Sequence, residues 1–286
     1  MLDPADCGPA CISLSQDIQG QTFDYPAEFF QEKVHTIRRP RPDEFQIKEA
    51  AAKIKSSKNP IIISGGGVFY SDAMEELSQF AIKHNIPVTQ TVMGYSTMKR
   101  DHSHFAGQIG GLGGKNTNTL AKETDLAIAV GTKLADFTTG SWANFENENF
   151  KLVSINVSRY DANKHLAQAV VGDAKVSLTE LSQALGDWKV GEDWNKKSQI
   201  ELKSWNEHID KESAPTNQEV PSYVQAIGAI YRNSDPTDIA VTAAGGLVGE
   251  VIQVWRPREL NTHETEWGFS CMSYEISGAL GIKMAN

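Results

Sequence analysis

Short apolar runs alternate with segments of helical periodicity through the middle of the chain, and this alternation constrains the fold most strongly. The apolar runs have the length of strands and lie at residues 61–63, 88–92, 126–130 and 152–157. Around them, apolar residues recur at helical spacing at residues 47–54, 74–81 and 176–185. Continuous apolar strands of this kind predict a parallel sheet with helices on both faces. We therefore expect an α/β fold with a doubly wound, Rossmann-like parallel-sheet central domain at residues 46–190.

A second α/β unit is expected after the central domain. Residues 191–220 are polar and charged, and they are interpreted as a connection between domains. Residues 221–286 begin with a segment of helical periodicity, and a short apolar strand then leads into Gly245, Gly246 and Leu247. Backbone N–H groups in a glycine-rich turn after a strand are suited to hold an anion.

Both ends of the sequence have the character of parts of larger domains. Residues 1–25 contain one apolar run without a local partner, and residues 26–45 are interpreted as a linker. Residues 273–286 are mostly small and apolar, which favours a tightly packed, buried helix. We expect the chain to be a fragment with an intact central domain and partial flanking domains.

Charge and composition argue against several classes of function. The formal net charge is −9, and no cluster of Lys or Arg with interleaved aromatic residues occurs, so nucleic acid is not an expected partner. No run approaches the ~20 apolar residues of a membrane-spanning helix, and the first residues lack the features of a secretory signal. The three cysteines have no disulfide-framework spacing, which suits a cytoplasmic protein.

Two glycine-rich loops leave two interpretations open. Residues 65–67 are Gly-Gly-Gly, and residues 110–114 are Gly-Gly-Leu-Gly-Gly. Each follows an expected strand, where glycines let the backbone approach the phosphates of a nucleotide. Neither has the full spacing of a dinucleotide-binding motif. A tight turn or a flexible loop without a ligand explains both patterns equally well.

Two motifs near the C-terminus resemble a known enzyme family. They are Thr-Ala-Ala-Gly-Gly-Leu at residues 242–247 and Gly-Phe-Ser-Cys-Met-Ser-Tyr-Glu-Ile at residues 268–276. Together with Gly-Pro-Ala-Cys-Ile-Ser-Leu at residues 8–14, they resemble the acetohydroxyacid synthase-like enzymes that depend on thiamine diphosphate. The resemblance covers essentially the whole chain. It implies the C-terminal tail of a pyrimidine-binding domain at residues 1–25 and the N-terminal part of a pyrophosphate-binding domain at residues 221–286.

The resemblance implies roles for five residues toward thiamine diphosphate. The backbone at Gly245, Gly246 and Leu247 would contact the diphosphate. Backbone groups at Ser270 and Met272 would hydrogen-bond the pyrimidine, and the Met272 side chain would support the bent cofactor as an apolar wedge. The family's activating Glu and its Gly-Asp-Gly…Asn motif for Mg²⁺ do not occur in this sequence. We therefore expect no catalytic residue and no metal ligand in this chain, and no turnover by the chain alone.

Other motifs have simpler interpretations. Gly172-Asp173-Ala174 resembles the beginning of the family's metal motif, but the Ala and the following helical pattern favour a structural role. His102 and His104 lie in a polar stretch and are interpreted as surface or loop histidines. Ser15 and Ser273 stand where the family usually has Pro and Gly.

The substrate expected from the resemblance is a small, polyol-derived molecule. The motif at residues 268–276 is most similar to members that open the ring of a cyclic 1,2-dione by hydrolysis in myo-inositol catabolism. The alternatives are an acetohydroxyacid synthase or a glyoxylate carboligase with FAD in the central domain, or a separate nucleotide-binding module. The family also implies a homodimer or homotetramer for the intact enzyme.

Overall fold

A parallel six-stranded sheet lies at the centre of the structure, a computed structural model that describes residues 2–285. Within these residues its strands are β1 (Pro60–Ser64), β2 (Val88–Gln90), β3 (Phe105–Gln108), β4 (Leu126–Val130), β5 (Lys151–Asn156) and β6 (Gln168–Val171). They pair in the order β3-β2-β1-β4-β5-β6, with every neighbouring pair parallel. The chain builds outward from β1 in one direction and from β4 in the other, which is the doubly wound arrangement. The predicted fold class is confirmed.

Helices cover both faces of this sheet. They are α1 (Gln16–Gln19), α2 (Glu44–Lys55), α3 (Gly67–Tyr70), α4 (Met74–His84), α5 (Lys115–Glu123), α6 (Asp136–Thr139), α7 (Arg159–Ala162), α8 (Ala174–Leu185) and α9 (Glu192–Glu212), of which α1 precedes the domain. On one face α2 and α4 pack against α8, and elsewhere α5 packs with α9. The crossovers through α4 and α5 run in opposite directions along the sheet, and right-handed connections then place these helices on opposite faces.

The middle strands β1 and β4 form the dry centre of the domain. All five residues of each strand are buried, and Ile61, Ile62 and Ile63 have no exposed surface. Full burial of one such side chain stabilises a fold by roughly 1.5–3 kcal/mol. The most apolar runs of the sequence are therefore the central strands, as parallel sheets require.

The two edge strands, β3 and β6, are absent from the sequence prediction. β3 contains Gly107 and Gln108, and β6 begins with Gln168. The register between β2 and β3 shifts at Val88 and Thr89, and Gly107 has a positive φ of 106°. Short edge strands with polar residues and a bulge lack the continuous apolar run by which β1 and β4 are recognised.

The segment expected to connect the domains is mostly the helix α9, which packs along the central domain. Trp194 near its start is 6% exposed, and its indole N–H donates to the carbonyl oxygen of Pro60 at 2.8 Å. Further along, α9 contacts α5, β3 and the helix α10 (Tyr223–Asn233). Through α9 the connection between the two units is itself part of the packed structure.

A smaller parallel unit follows α9. It contains α10, β7 (Ala240–Thr242), α11 (Leu247–Val254), β8 (His263–Thr265) and α12 (Tyr274–Ala285). β7 and β8 pair in parallel, and α11 packs on α10. The strand–helix–strand order agrees with the expected α/β unit.

The terminal segments differ from the central domain in burial. The helix predicted near the C-terminus is α12, but the prediction that it is buried is wrong, because none of its described residues is buried. It packs on β7 and leaves Ile276, Leu280 and Met284 exposed. Residues 5–41 are exposed throughout and contain no strand. None of the helices in residues 2–285 is long and apolar enough to cross a membrane.

Candidate functional site

The two loops that carry the family motifs leave the same edge of the β7–β8 pair. Thr242 and Thr265, the last residues of these parallel strands, are register partners. The amide of Glu266 donates to the carbonyl oxygen of Thr242 at 3.2 Å, which ties the start of the second loop to the end of β7. Both sets of predicted cofactor residues therefore lie on loops that leave this edge, Gly245, Gly246 and Leu247 on one loop and Ser270 and Met272 on the other.

The first loop presents free amides at the N-terminus of α11. Gly245 has a φ of +91°, a conformation that favours glycine, and Gly246 directly precedes the helix. No heavy atom lies within 4 Å of the position where a side chain would start at either glycine. The N–H groups of Gly246 and Leu247 donate to no other described residue. Open space, unpaired amides and the positive end of a helix dipole together suit a phosphate group.

The second loop is closed by a carboxylate that the sequence analysis missed. Glu266 accepts hydrogen bonds from the amides of Phe269 at 2.8 Å and Cys271 at 2.5 Å. These two bonds lower the pKa of Glu266, because they favour its charged form. The available sequence signal is an acidic residue immediately before a short loop of small and aromatic residues.

The hydrogen bonds of Glu266 leave the amides that were predicted to contact the cofactor unpaired. Its carboxylate uses the amides on either side of Ser270, whereas the amides of Ser270 and Met272 donate to no described residue. The Met272 side chain is 82% exposed. Ser270 and Ser273 both have positive φ, 52° and 77° respectively, so the loop has an unusual backbone path. The roles of Ser270 and Met272 toward the cofactor remain predictions.

Side chains of the central domain pack against the start of the second loop and against α11, which follows the first loop. Trp267 packs edge-to-face on Phe137 of the central domain, with ring centroids 5.1 Å apart. It also lies against an apolar cluster of Val92 from the central domain with Val248 and Ile252 from α11. The start of the second loop and the helix behind the first loop therefore share one packing surface.

A cavity of about 260 Å³ lies between the central domain and β8. Tyr70, Met93 and Tyr95 line it from the central domain, and His263 and Glu264 line it from β8. Burial lowers the pKa of His263 to about 4, so its ring is neutral at pH 7. None of the five predicted cofactor residues lines this cavity.

In the first glycine-rich loop of the central domain, the glycines allow two backbone segments to pack closely together. The amides of Gly65 and Gly67 donate to the carbonyl oxygens of Val130 and Gly131, each at 2.9 Å. A side chain at Gly65 would overlap the Gly131 carbonyl oxygen. Of the two interpretations left open by the sequence, the structure favours the tight turn at this loop.

The second glycine-rich loop has the same character. A side chain at Gly110 would overlap the carbonyl oxygen of Phe137 in α6, and the amide of Gly111 donates to that oxygen at 2.7 Å. The amide of Gly114 donates to Gln108 at 3.0 Å. Since these amides are already paired within the protein, they are not available to the phosphates of FAD or another nucleotide.

Asp173 has a structural role. Its carboxylate accepts from the amides of Lys175 at 3.0 Å and Val176 at 3.3 Å, capping α8, and it pairs with the Arg39 guanidinium at 3.0 Å. Gly172-Asp173-Ala174 is thus a helix-capping motif. Across the described residues, no group of three or more His, Cys, Asp or Glu could hold a metal ion.

His102 and His104, interpreted as surface or loop histidines, both lie in the turn before β3, but His104 is buried. His104 is 7% exposed and bonds the Asn85 side-chain oxygen at 3.0 Å. The pKa of His104 falls to about 4, mainly because of burial. These histidines belong to the packing between β3 and the end of α4.

The comparisons with known proteins agree with this architecture. The family model "Thiamine pyrophosphate enzyme, central domain" matches residues 47–181. The 3D-(3,5/4)-trihydroxycyclohexane-1,2-dione hydrolase of Bacillus anthracis is 37% identical over 309 aligned residues, which cover 100% of this chain and 48% of the relative. The hydrolase of the same name from Bacillus licheniformis is 38% identical over 312 residues, with the same coverage. The chain thus spans about half the length of these curated relatives. Residues 47–181, which include the whole six-stranded sheet, therefore belong to the thiamine pyrophosphate enzyme family as its central domain.

Proposed function

We propose that this chain supplies the central domain and the first part of the pyrophosphate-binding domain of a thiamine-diphosphate-dependent hydrolase. The substrate would be a cyclic 1,2-dione of the trihydroxycyclohexane type, and the reaction would cleave a ring C–C bond with water. The observation that carries this proposal is the 37–38% identity to hydrolases of that name over the entire length of the chain.

The geometry of the two loops supports the same conclusion. Thiamine diphosphate, when bound, supplies a carbanion nucleophile and an electron sink for carbonyl chemistry. The free amides of Gly246 and Leu247 would donate hydrogen bonds to its diphosphate, and the open space at Gly245 admits the phosphate oxygens.

On the second loop, the contacts would be with the aromatic part of the cofactor. The backbone amides of Ser270 and Met272 are free to bond the pyrimidine. The exposed Met272 side chain would support the cofactor by apolar contact. Glu266 holds the loop in the shape that keeps these groups available.

The finer parts of the proposal follow from the family resemblance. Mg²⁺ would accompany the diphosphate, held by residues other than those described in this chain. The intact enzyme would be a cytoplasmic homodimer or homotetramer in myo-inositol catabolism. The amides of Gly65, Gly67, Gly111 and Gly114 are paired with protein carbonyl groups, so these four would not be available to the phosphates of FAD.

A chimaera tests the proposed function directly. The aligned part of the Bacillus licheniformis hydrolase would be replaced by this chain, and the purified chimaera would be supplied with thiamine diphosphate, Mg²⁺ and the cyclic dione. Hydrolysis of a ring C–C bond next to a carbonyl produces a carboxylic acid, so titration at constant pH follows turnover.

We expect acid release that requires thiamine diphosphate. A Gly246→Val variant of the chimaera should need a much higher concentration of the cofactor, because the added side chain fills the space for the phosphate. A folded chimaera that binds thiamine diphosphate but leaves the dione intact would refute the substrate assignment. Flavin absorbance in the purified protein would instead support the synthase or carboligase alternative.

A further inference from the structure

Tyr95 connects the central domain to the C-terminal end of α11. It follows the 3-10 turn Val92–Gly94 after β2 and is 2% exposed. Its phenol oxygen lies 2.6 Å from the carbonyl oxygen of Ile252 and 2.8 Å from that of Trp255. Carbonyl oxygens can only accept hydrogen bonds, so the phenol is the donor, and its single proton is shared between two carbonyls.

Both carbonyls belong to the end of a helix, where backbone donors run out. The last carbonyl groups of any helix lack intrahelical partners, and the amide of Arg256 bonds Val254 instead of Ile252. Tyr95 thus supplies a buried donor that the helix itself does not provide. Burial also raises the pKa of Tyr95, which keeps the phenol protonated and able to donate.

Other contacts hold the same end of α11. Ile252 packs on Val92, and the amide of Arg100 donates to the carbonyl oxygen of Pro257 at 3.0 Å. At the opposite end Val248 packs in the same apolar cluster, while the space in front of Gly246 is open. Apolar contacts hold both halves of α11, hydrogen bonds from the central domain fix its C-terminal end, and the amides of Gly246 and Leu247 at its N-terminal end are unpaired.

We propose that Tyr95 is a positioning residue for the diphosphate, acting from the central domain through α11 on the amides of Gly246 and Leu247. This inference rests on the proposed function. The eight residues of α11 span about 12 Å, so a tilt of about 5° at the held end moves the amides by about 1 Å. A displacement of that size spoils hydrogen-bond geometry to a phosphate.

Two conservative variants separate this role from general stability. Tyr95→Phe removes only the hydroxyl group that reaches α11. Thr124→Val is the matched control, because it removes another buried hydroxyl group, which bonds the carbonyl oxygens of Asn59 and Leu126. The control site lies before β4, at the opposite end of the sheet from Tyr95.

Hydrogen exchange of the 286-residue chain, without any cofactor, is the first measurement. We expect the amides of residues 250–255 to exchange about tenfold faster in Tyr95→Phe, as the loss of about one buried hydrogen bond predicts. Thr124→Val should leave these amides at the wild-type rate. Unchanged exchange in Tyr95→Phe, or equal acceleration in both variants, would overturn the proposal.

Kinetics of the chimaera provide the second measurement. Tyr95→Phe should raise the KM for thiamine diphosphate about tenfold at nearly constant kcat, whereas Thr124→Val should change neither. An unchanged KM in a variant whose α11 exchanges faster would also overturn the positioning role. Inactivity of the unmutated chimaera would count against the proposed function, while the exchange experiment still decides whether Tyr95 holds α11.

Discussion

Replacing His263 by Gln should remove a defined part of the acid sensitivity of the fold. The imidazole lies in β8, is 7% exposed, and its ring centroid is 5.0 Å from that of Tyr95 in an edge-to-face contact. Its Nε2 atom is 3.3 Å from the Thr242 hydroxyl group. Burial lowers the pKa of His263 to about 4, whereas a histidine in an unfolded chain titrates near ~6.5.

The difference between the folded-state and unfolded-state pKa of His263 determines how stability changes with pH. Because the folded-state pKa is the lower one, the unfolded chain takes up a proton first as the pH falls. The contribution of neutral His263 to stability is complete above pH ~6.5 and is lost progressively toward pH ~4. Between pH 7.5 and pH 5.0 the free energy of unfolding should fall by about 2 kcal/mol through this residue.

Urea unfolding followed by tryptophan fluorescence at these two pH values measures the loss. In His263→Gln the loss between pH 7.5 and pH 5.0 should be smaller than in the wild type by about 2 kcal/mol. Gln has no group that titrates in this range, and its amide can still bond Thr242. The reasoning is refuted if wild type and variant lose the same free energy over the same interval.

Two further substitutions test the structural roles assigned to conspicuous motifs. Gly65→Ala should lower the free energy of unfolding by about 1–3 kcal/mol, because the new methyl group meets the Gly131 backbone. Gly191→Ala is the control, because the surroundings of Gly191 are open. Equal urea midpoints for the two variants would contradict the structural role assigned to Gly65. Asp173→Ala should cost about 2 kcal/mol by removing the cap of α8, and Asp173→Asn should cost less because Asn also caps helices. A rise in the wild-type Tm with Mg²⁺ that Asp173→Ala abolishes would instead indicate a metal site.

The sequence predicts best what burial makes periodic. The Ile61–Ile63 run identifies β1 because both faces of that strand are covered, and the spacing of Ile47 and Ile54 identifies α2 for the corresponding reason on one face. β3 and β6 lie at the sheet edges and carry Gln108 and Gln168, so neither shows a comparable signal.

In the candidate site, too, only the features with a local sequence pattern could be predicted. The glycine-rich turn at Gly245 is recognisable locally, since a strand, glycines and a helix follow one another in the sequence. The contact between Tyr95 and Ile252 joins residues 157 positions apart, and no local pattern encodes such a pair. Glu266 was missed for a different reason: its partners are backbone amides, which every residue has, so the interaction depends on the path of the loop.

Contact between two backbones limits how this central domain can be altered. At Gly65 and Gly131 the turns after β1 and β4 already touch without any side chain between them. An engineer who wished to open a nucleotide site there would find nothing to truncate. Room could come only from moving both turns apart, and this would break the amide-to-carbonyl bonds of Gly65 and Gly67. New binding specificity is therefore more accessible at the exposed loops around Gly245 and Met272, where single side-chain changes alter the surface without displacing the sheet.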